Sequence, residues 1–157
     1  MTKKKISNLQ DHIGYWLRCL SNFVSHHFAA RLEQHDVSVA QWVVLRLLYD
    51  RPGISQNEAA TLVAVDKSSL SRLLERLLTK KLVSRTPSAE DQRVMQLQLT
   101  AKGKKLVPLL AAAADENDRR FFNGLSESEQ RQFLATIRQL LRMNGWKSAE
   151  HGHDGLN

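Results

Sequence analysis

Between Asp66 and Lys80 the chain carries two kinds of side chain at helical spacing. Leu70, Leu73, Leu74, Leu77 and Leu78 recur on one face and read as a buried stripe. The opposite face holds Lys67, Ser68, Ser71, Arg72, Glu75 and Arg76. Short hydroxyls and long cations near the N-terminal half of a helix can hydrogen-bond base edges and pair with phosphates, which is the chemistry required inside a major groove. An ordinary solvated face has the same composition, so this helix alone weighs the two readings evenly. Asp66 stands where an N-cap should, its carboxylate placed to accept from the backbone N–H of Ser68 or Ser69.

The following segment adds a second set of candidate contacts. Met95, Leu97 and Leu99 alternate with Gln96 and Gln98, a period of two that packs one face of a strand and leaves the other wet. Leu82–Thr86 and Val94–Leu99 are therefore expected to pair as a hairpin around the loop Ser88-Ala89-Glu90-Asp91-Gln92-Arg93, with Pro87 and Ser88 favouring the turn. The tip is expected to present Arg85, Glu90, Asp91 and Arg93. A basic ribbon beside a groove-reading helix can place an arginine in the adjacent minor groove, where narrow A·T-rich segments concentrate negative potential. Asp91 is expected to orient Arg93 by accepting from its guanidinium, and not to touch DNA itself.

The flanking sequence must hold these two elements. Ser38…Gln41 and Ser55…Glu58 are capping boxes, so helices should begin at about Val39 and Gln56. Asp50-Arg51-Pro52-Gly53 between them is a turn. Trp42, Leu45 and Leu48 read as core. From Ile6 onward, Ile6, Leu9, Ile13, Trp16, Leu20 and Phe23 advance in steps of three and four, with Leu17, Val24 and Phe28 as a second stripe. A long helix with two apolar stripes needs partners on two sides, and a second subunit is the natural source of one. After Thr100 a helix should run to about Phe122, with Leu106, Leu109, Leu110 and Ala113 apolar. Gly124 ends it, and Ser126…Glu129 caps a last helix whose stripe is Phe133, Ile137, Leu140 and Leu141. The expected fold is mainly α with a small β-hairpin wing: a winged helix-turn-helix flanked by N- and C-terminal helices.

Composition agrees. The 157 residues and 42% hydrophobic content support one globular domain. The formal net charge is +7, and residues 55–105 hold ten Lys/Arg against five Asp/Glu, so the excess sits on the winged segment and favours a polyanionic partner. No apolar run approaches the ~20 residues of a membrane span. No signal-peptide core follows Lys3-Lys4-Lys5, so a cytoplasmic protein is expected. Cys19 is the single cysteine, which excludes an internal disulfide and fits a reducing compartment.

The run Asp91-Gln92-Arg93-Val94-Met95-Gln96-Leu97-Gln98-Leu99-Thr100, followed by Gly103, resembles the wing signature of the MarR family of bacterial transcription regulators. Gln41-Trp42-x-x-Leu45, Ser55-Gln56-x-Glu58-x-Ala60, Asp66-x-Ser68-x-x-x-Arg72-Leu73 and Leu82-Val83-x-Arg85 also sit at that family's positions. The likeness runs from about Ile13 to Leu106. Ala64 stands where the family usually has the glycine of the helix-turn-helix turn, and Lys81 where it often has the glycine closing the recognition helix.

The resemblance implies a homodimeric repressor on a double-stranded, pseudo-palindromic operator. Ser55, Gln56, Lys67, Ser68, Ser69, Ser71, Arg72, Arg76, Arg85, Asp91 and Arg93 form the DNA-binding set. The organisation it implies is an N-terminal dimerisation helix (1–37), the winged helix-turn-helix (38–100), C-terminal dimerisation helices (101–146) and a tail (147–157). It also implies release of DNA by a small aromatic or phenolic acid, for which His12, Trp16, Trp42 and Arg46 are the lining candidates; plain core is the competing reading of both tryptophans. The reactive cysteine of the family's peroxide-sensing branch falls at the position of Gly14 here, so Cys19 is not expected to be a peroxide sensor.

Neither a phosphate-binding glycine loop nor zinc-ligand spacing is present, and no cofactor is expected. The cluster Asp115-Glu116-Asn117-Asp118 reads as a solvated face, and His151-Gly152-His153-Asp154 as polar tail before a metal site. An enzyme is not expected. The alternative function is a winged-helix module that binds protein through the same faces.

Overall fold

The computed structural model describes residues 6–146; the Lys3-Lys4-Lys5 arm and the His151-Gly152-His153-Asp154 segment lie outside them. Six α-helices and a three-stranded antiparallel sheet follow in the order α1 (Ile13–Leu32), α2 (Val39–Asp50), β1 (Ile54–Ser55), α3 (Gln56–Leu62), α4 (Lys67–Thr79), β2 (Val83–Pro87), β3 (Met95–Leu99), α5 (Ala101–Phe122) and α6 (Glu127–Met143). Short 3-10 turns at Leu9–Asp11 and Glu33–His35 flank α1.

Local chemistry sets these boundaries. The hydroxyls of Ser38, Ser55 and Ser126 accept from the backbone N–H of Gln41, Glu58 and Glu129, and each of those side chains accepts in turn from the cap's N–H. Two of the first backbone donors of each helix are thereby satisfied. Thr100 caps α5 by accepting from the Gly103 N–H.

The core is one cluster. Leu45, Leu48, Leu70, Leu74, Leu77, Leu97 and Leu110 are fully buried in it with Leu32, Val44 and Val107. These side chains come from α1, α2, α4, β3 and α5, so α4 and the wing are fixed to one framework. β3 is the central strand, in the order β1-β3-β2, with Ile54 opposite Leu97 and Val83 opposite Leu99. The two-residue strand β1 is not anticipated by the sequence pattern; the Gly53 N–H reinforces it by donating to Leu97 O at 2.9 Å. Gly103 permits α5 to start against the sheet, since a Cβ there would stand 2.2 Å from the carbonyl oxygen of Leu82.

The first helix differs from expectation. It does not begin at Ile6: Asp11 accepts from the Asn8 N–H to close a 3-10 turn, and His12 is extended, so the α-helix starts at Ile13. The expected apolar seam is present but uncovered. Ile13 is 76% and Phe23 66% exposed, and Leu9, Trp16 and Leu20 are exposed with them. In the second stripe only Phe28 reaches the core, while Leu17 is exposed. No residue of α6 is buried, and Leu134, Leu140, Leu141 and Met143 are exposed along it. Among the described residues, no helix is long and apolar enough to cross a membrane.

Candidate nucleic-acid interface

α4 is oriented at both ends. At its start, Asp66 accepts from the Ser69 N–H at 2.9 Å, from the Ser68 hydroxyl at 2.5 Å and from the Ser69 hydroxyl at 2.6 Å. These hydroxyls, followed by the backbone N–H, hold the Asp66 carboxyl well below the usual carboxylate range. The anion therefore persists at the positive end of the helix dipole. At its far end, Lys80 reaches Asp36 and Gln41 across the domain.

Both departures from glycine keep glycine's geometry. Ala64 and Lys81 are left-handed, with φ of 54° and 56°. Each sits in a paired closure of the preceding helix. Ala64 and Val65 donate to Thr61 O and Ala60 O, and Lys81 and Leu82 to Leu78 O and Leu77 O. This is the Schellman arrangement, in which the residue after the cap must be left-handed. The helix-turn-helix angle is therefore retained at the cost of backbone strain.

The face that α4 leaves open contains Lys67, Ser68, Arg72 and Arg76, all exposed, with Ser69 and Ser71 half-buried at its edge. The Arg72 guanidinium folds back toward the first turn, 3.4 Å from both the carbonyl and the hydroxyl oxygen of Ser68. Gln56 donates to the Ser71 hydroxyl at 2.7 Å, so this pair links α3 to α4. Ser55 is committed to its capping box, with its hydroxyl 2.6 Å from the Glu58 carboxylate.

The wing requires two corrections. Arg85 is not at the tip: it lies in β2 opposite Leu97, and its guanidinium pairs with Glu75 of α4 at 3.1 Å. Strand alternation explains this, because Arg85 shares a face with Val83 and that face turns toward the helix. Asp91 does not hold the Arg93 guanidinium. Its carboxylate accepts from the Arg93 backbone N–H at 3.0 Å, while the Val94 N–H donates to Asp91 O and the Ser88 N–H to Val94 O. A short carboxylate in a turn reaches the N–H two residues on more readily than a long side chain. Asp91 therefore folds the loop, and Arg93 projects from it, exposed and without an ion-pair partner among the described residues.

A cationic, hydroxyl-bearing helix face beside a protruding arginine is the arrangement of a winged helix-turn-helix. Residues 35–94, spanning α2 to the wing, match the model of the MarR family. The transcriptional regulator HosA of Escherichia coli is 29% identical over 131 residues, which cover 78% of this chain and 97% of HosA. The structure of MepR of S. aureus in complex with DNA is 30% identical, with a TM-score of 0.78 over 84% of this chain and 98% of MepR. A probable transcriptional regulator of Pseudomonas aeruginosa is 27% identical, with a TM-score of 0.78 over 85% of this chain and 99% of that one.

The chain belongs to the MarR family. It is a DNA-binding transcriptional regulator, and its relatives are regulators rather than enzymes. The residues expected to line a ligand site are not brought together within one chain of this MarR fold. Trp16 is anchored near the start of α1, its indole N–H donating to Gln10 O, and His12 contacts Ser7 there. Trp42 packs edge-on against Phe28, and Arg46 pairs with Asp50. Trp16 and Phe28 are twelve positions apart, so the two halves are separated by about 18 Å along the helix. A cleft of about 730 Å³ between α5 and α6, lined by Phe122, Phe133, Leu134 and Ile137 with Asp118 and Arg131, includes none of the four.

Proposed function

We propose that this regulator acts as a homodimeric repressor on a pseudo-palindromic operator. The observation that carries the reading is the uncovered apolar surface of α1 and α6 on a chain whose α4 and wing are fully assembled. Large apolar side chains left exposed along two helices mark an interaction site, and two-fold pairing covers the same face of both copies at once. The paired α4 helices then enter successive major grooves about 34–36 Å apart.

Within each half-site, Lys67, Ser68, Arg72 and Arg76 meet phosphates and base edges, and Arg93 enters the adjacent minor groove or grips its edge. The DNA-bound state of MepR supports this reading of the shared fold. A small aromatic acid is the proposed effector. His12 and Trp16 of one subunit and Trp42 and Arg46 of the other supply aromatic faces and cationic or titratable groups, and such a ligand derepresses by favouring the DNA-incompetent state. Light scattering at micromolar concentration tests the assembly: a dimer is expected, and a monomer would overturn it. A panel of phenolic carboxylates that leaves operator affinity unaltered would remove the effector.

A further inference from the structure

Glu75 is the one anion on the exposed face of α4. Positions 68, 72, 75 and 79 follow one another along that face at helical spacing, so Glu75 lies in line with Ser68 and Arg72. Its carboxylate holds the Arg85 guanidinium at 3.1 Å, with side chains 62% and 36% exposed. An ion pair so accessible to water contributes little to folding stability. Its larger effect is on the cations offered to DNA. Lys67, Arg72, Arg76 and Arg93 have no ion-pair partner among the described residues, whereas Arg85, at the root of the wing, does.

We propose that Glu75 is a specificity-determining residue: by holding Arg85, it limits the binding of this protein to DNA of arbitrary sequence. The inference rests on the DNA-binding reading of α4 and the wing. Phosphate contacts carry no sequence information and dominate non-specific affinity. An arginine neutralised inside the protein lowers that background, while base contacts from elsewhere on α4 are retained. The ratio of specific to non-specific binding rises as a result, and that ratio decides occupancy in a genome.

The test is a titration of wild type, Glu75→Gln, Arg85→Gln and the double variant against a random-sequence duplex about three helical turns long, from about 50 to 200 mM salt. Glu75→Gln is expected to bind the duplex more tightly and to steepen the log–log salt slope by about one unit, the effect of one added phosphate contact. Its advantage over wild type should then shrink roughly three- to fourfold across that salt range. Arg85→Gln should leave the slope near that of wild type and cancel most of the gain in the double variant. An unaltered slope in Glu75→Gln, or a gain that survives loss of Arg85, overturns the proposal. A lower melting temperature with weaker binding overturns it as well, making the pair a strut. Wild type is read first: if it binds the duplex without salt dependence, the DNA-binding reading fails together with this one.

Discussion

Replacing Ala64 and Lys81 by glycine should stabilise the protein. Both residues are exposed and left-handed, at φ 54° and 56°, in helix closures made through their backbone N–H groups. A non-glycine residue in this conformation costs about 1–2 kcal/mol. Glycine removes that strain but gives the unfolded chain more freedom, worth about 0.4–1 kcal/mol. The balance is about 0.5–1 kcal/mol per site. The two sites lie at opposite ends of α4, about 20 Å apart by helical rise, so their effects should add. For a chain of this length the double variant should melt about 2–8 °C higher. Circular dichroism at one fixed protein concentration checks this, because association shifts the melting temperature of an oligomer. Ala64→Val should move it down, since a β-branched residue is harder to hold left-handed. Glycine variants that melt at or below wild type would refute the strain argument.

Gly103→Ala should be the most damaging small substitution: its Cβ would stand 2.2 Å from a backbone carbonyl oxygen that also accepts the Thr100 N–H. A loss of about 2–3 kcal/mol is expected in urea unfolding. Asp91→Ala should weaken DNA binding by loosening the loop, and Arg93→Ala by removing a cation. Because Asp91 accepts from the Arg93 backbone N–H and not from its guanidinium, Asp91→Ala should also lower the melting temperature while Arg93→Ala leaves it unaltered; an Asp91→Ala variant that melts like wild type would point back to a side-chain pairing. Stability should also fall in acid. Hydrogen bonds from the Ser55, Ser68, Ser69 and Ser126 hydroxyls lower the carboxyl values of Glu58, Asp66 and Glu129. Folded values below unfolded ones give stabilisation that is complete above about pH 4.5 and fades below it. Urea midpoints should therefore be flat toward neutral pH and drop in acid, less steeply in Ser126→Ala.

Much of the fold was legible because its boundaries are made by local chemistry. Capping boxes placed α2 and α3 at Val39 and Gln56, and Thr100 with the Leu-rich pattern placed α5. What the pattern missed had short or ambiguous signals. The apolar steps from Ile6 to Ile13 run through a 3-10 turn, and only the Asn8…Asp11 spacing marks the break. Ile54-Ser55 is too short to show a period. At the interface, the open face of α4 and the exposure of Arg93 followed from sequence. The pairing of Arg85 with Glu75, and of Asp91 with a backbone N–H, did not, because each depends on which way a side chain leaves a strand or turn.

The most direct test of the central claim is the salt dependence of binding to an operator selected from a randomised duplex library. Selection should enrich inverted half-sites one helical turn apart, bound by two chains, with log affinity falling against log salt at a slope steeper than about −4. Arg93→Ala should make that slope shallower by about one unit per lost phosphate contact, with sequence preference retained. Arg72→Ala should cost about 1–3 kcal/mol and relax preference at one position per half-site. Affinity indifferent to salt, or a selected pool without inverted repeats, would contradict the account.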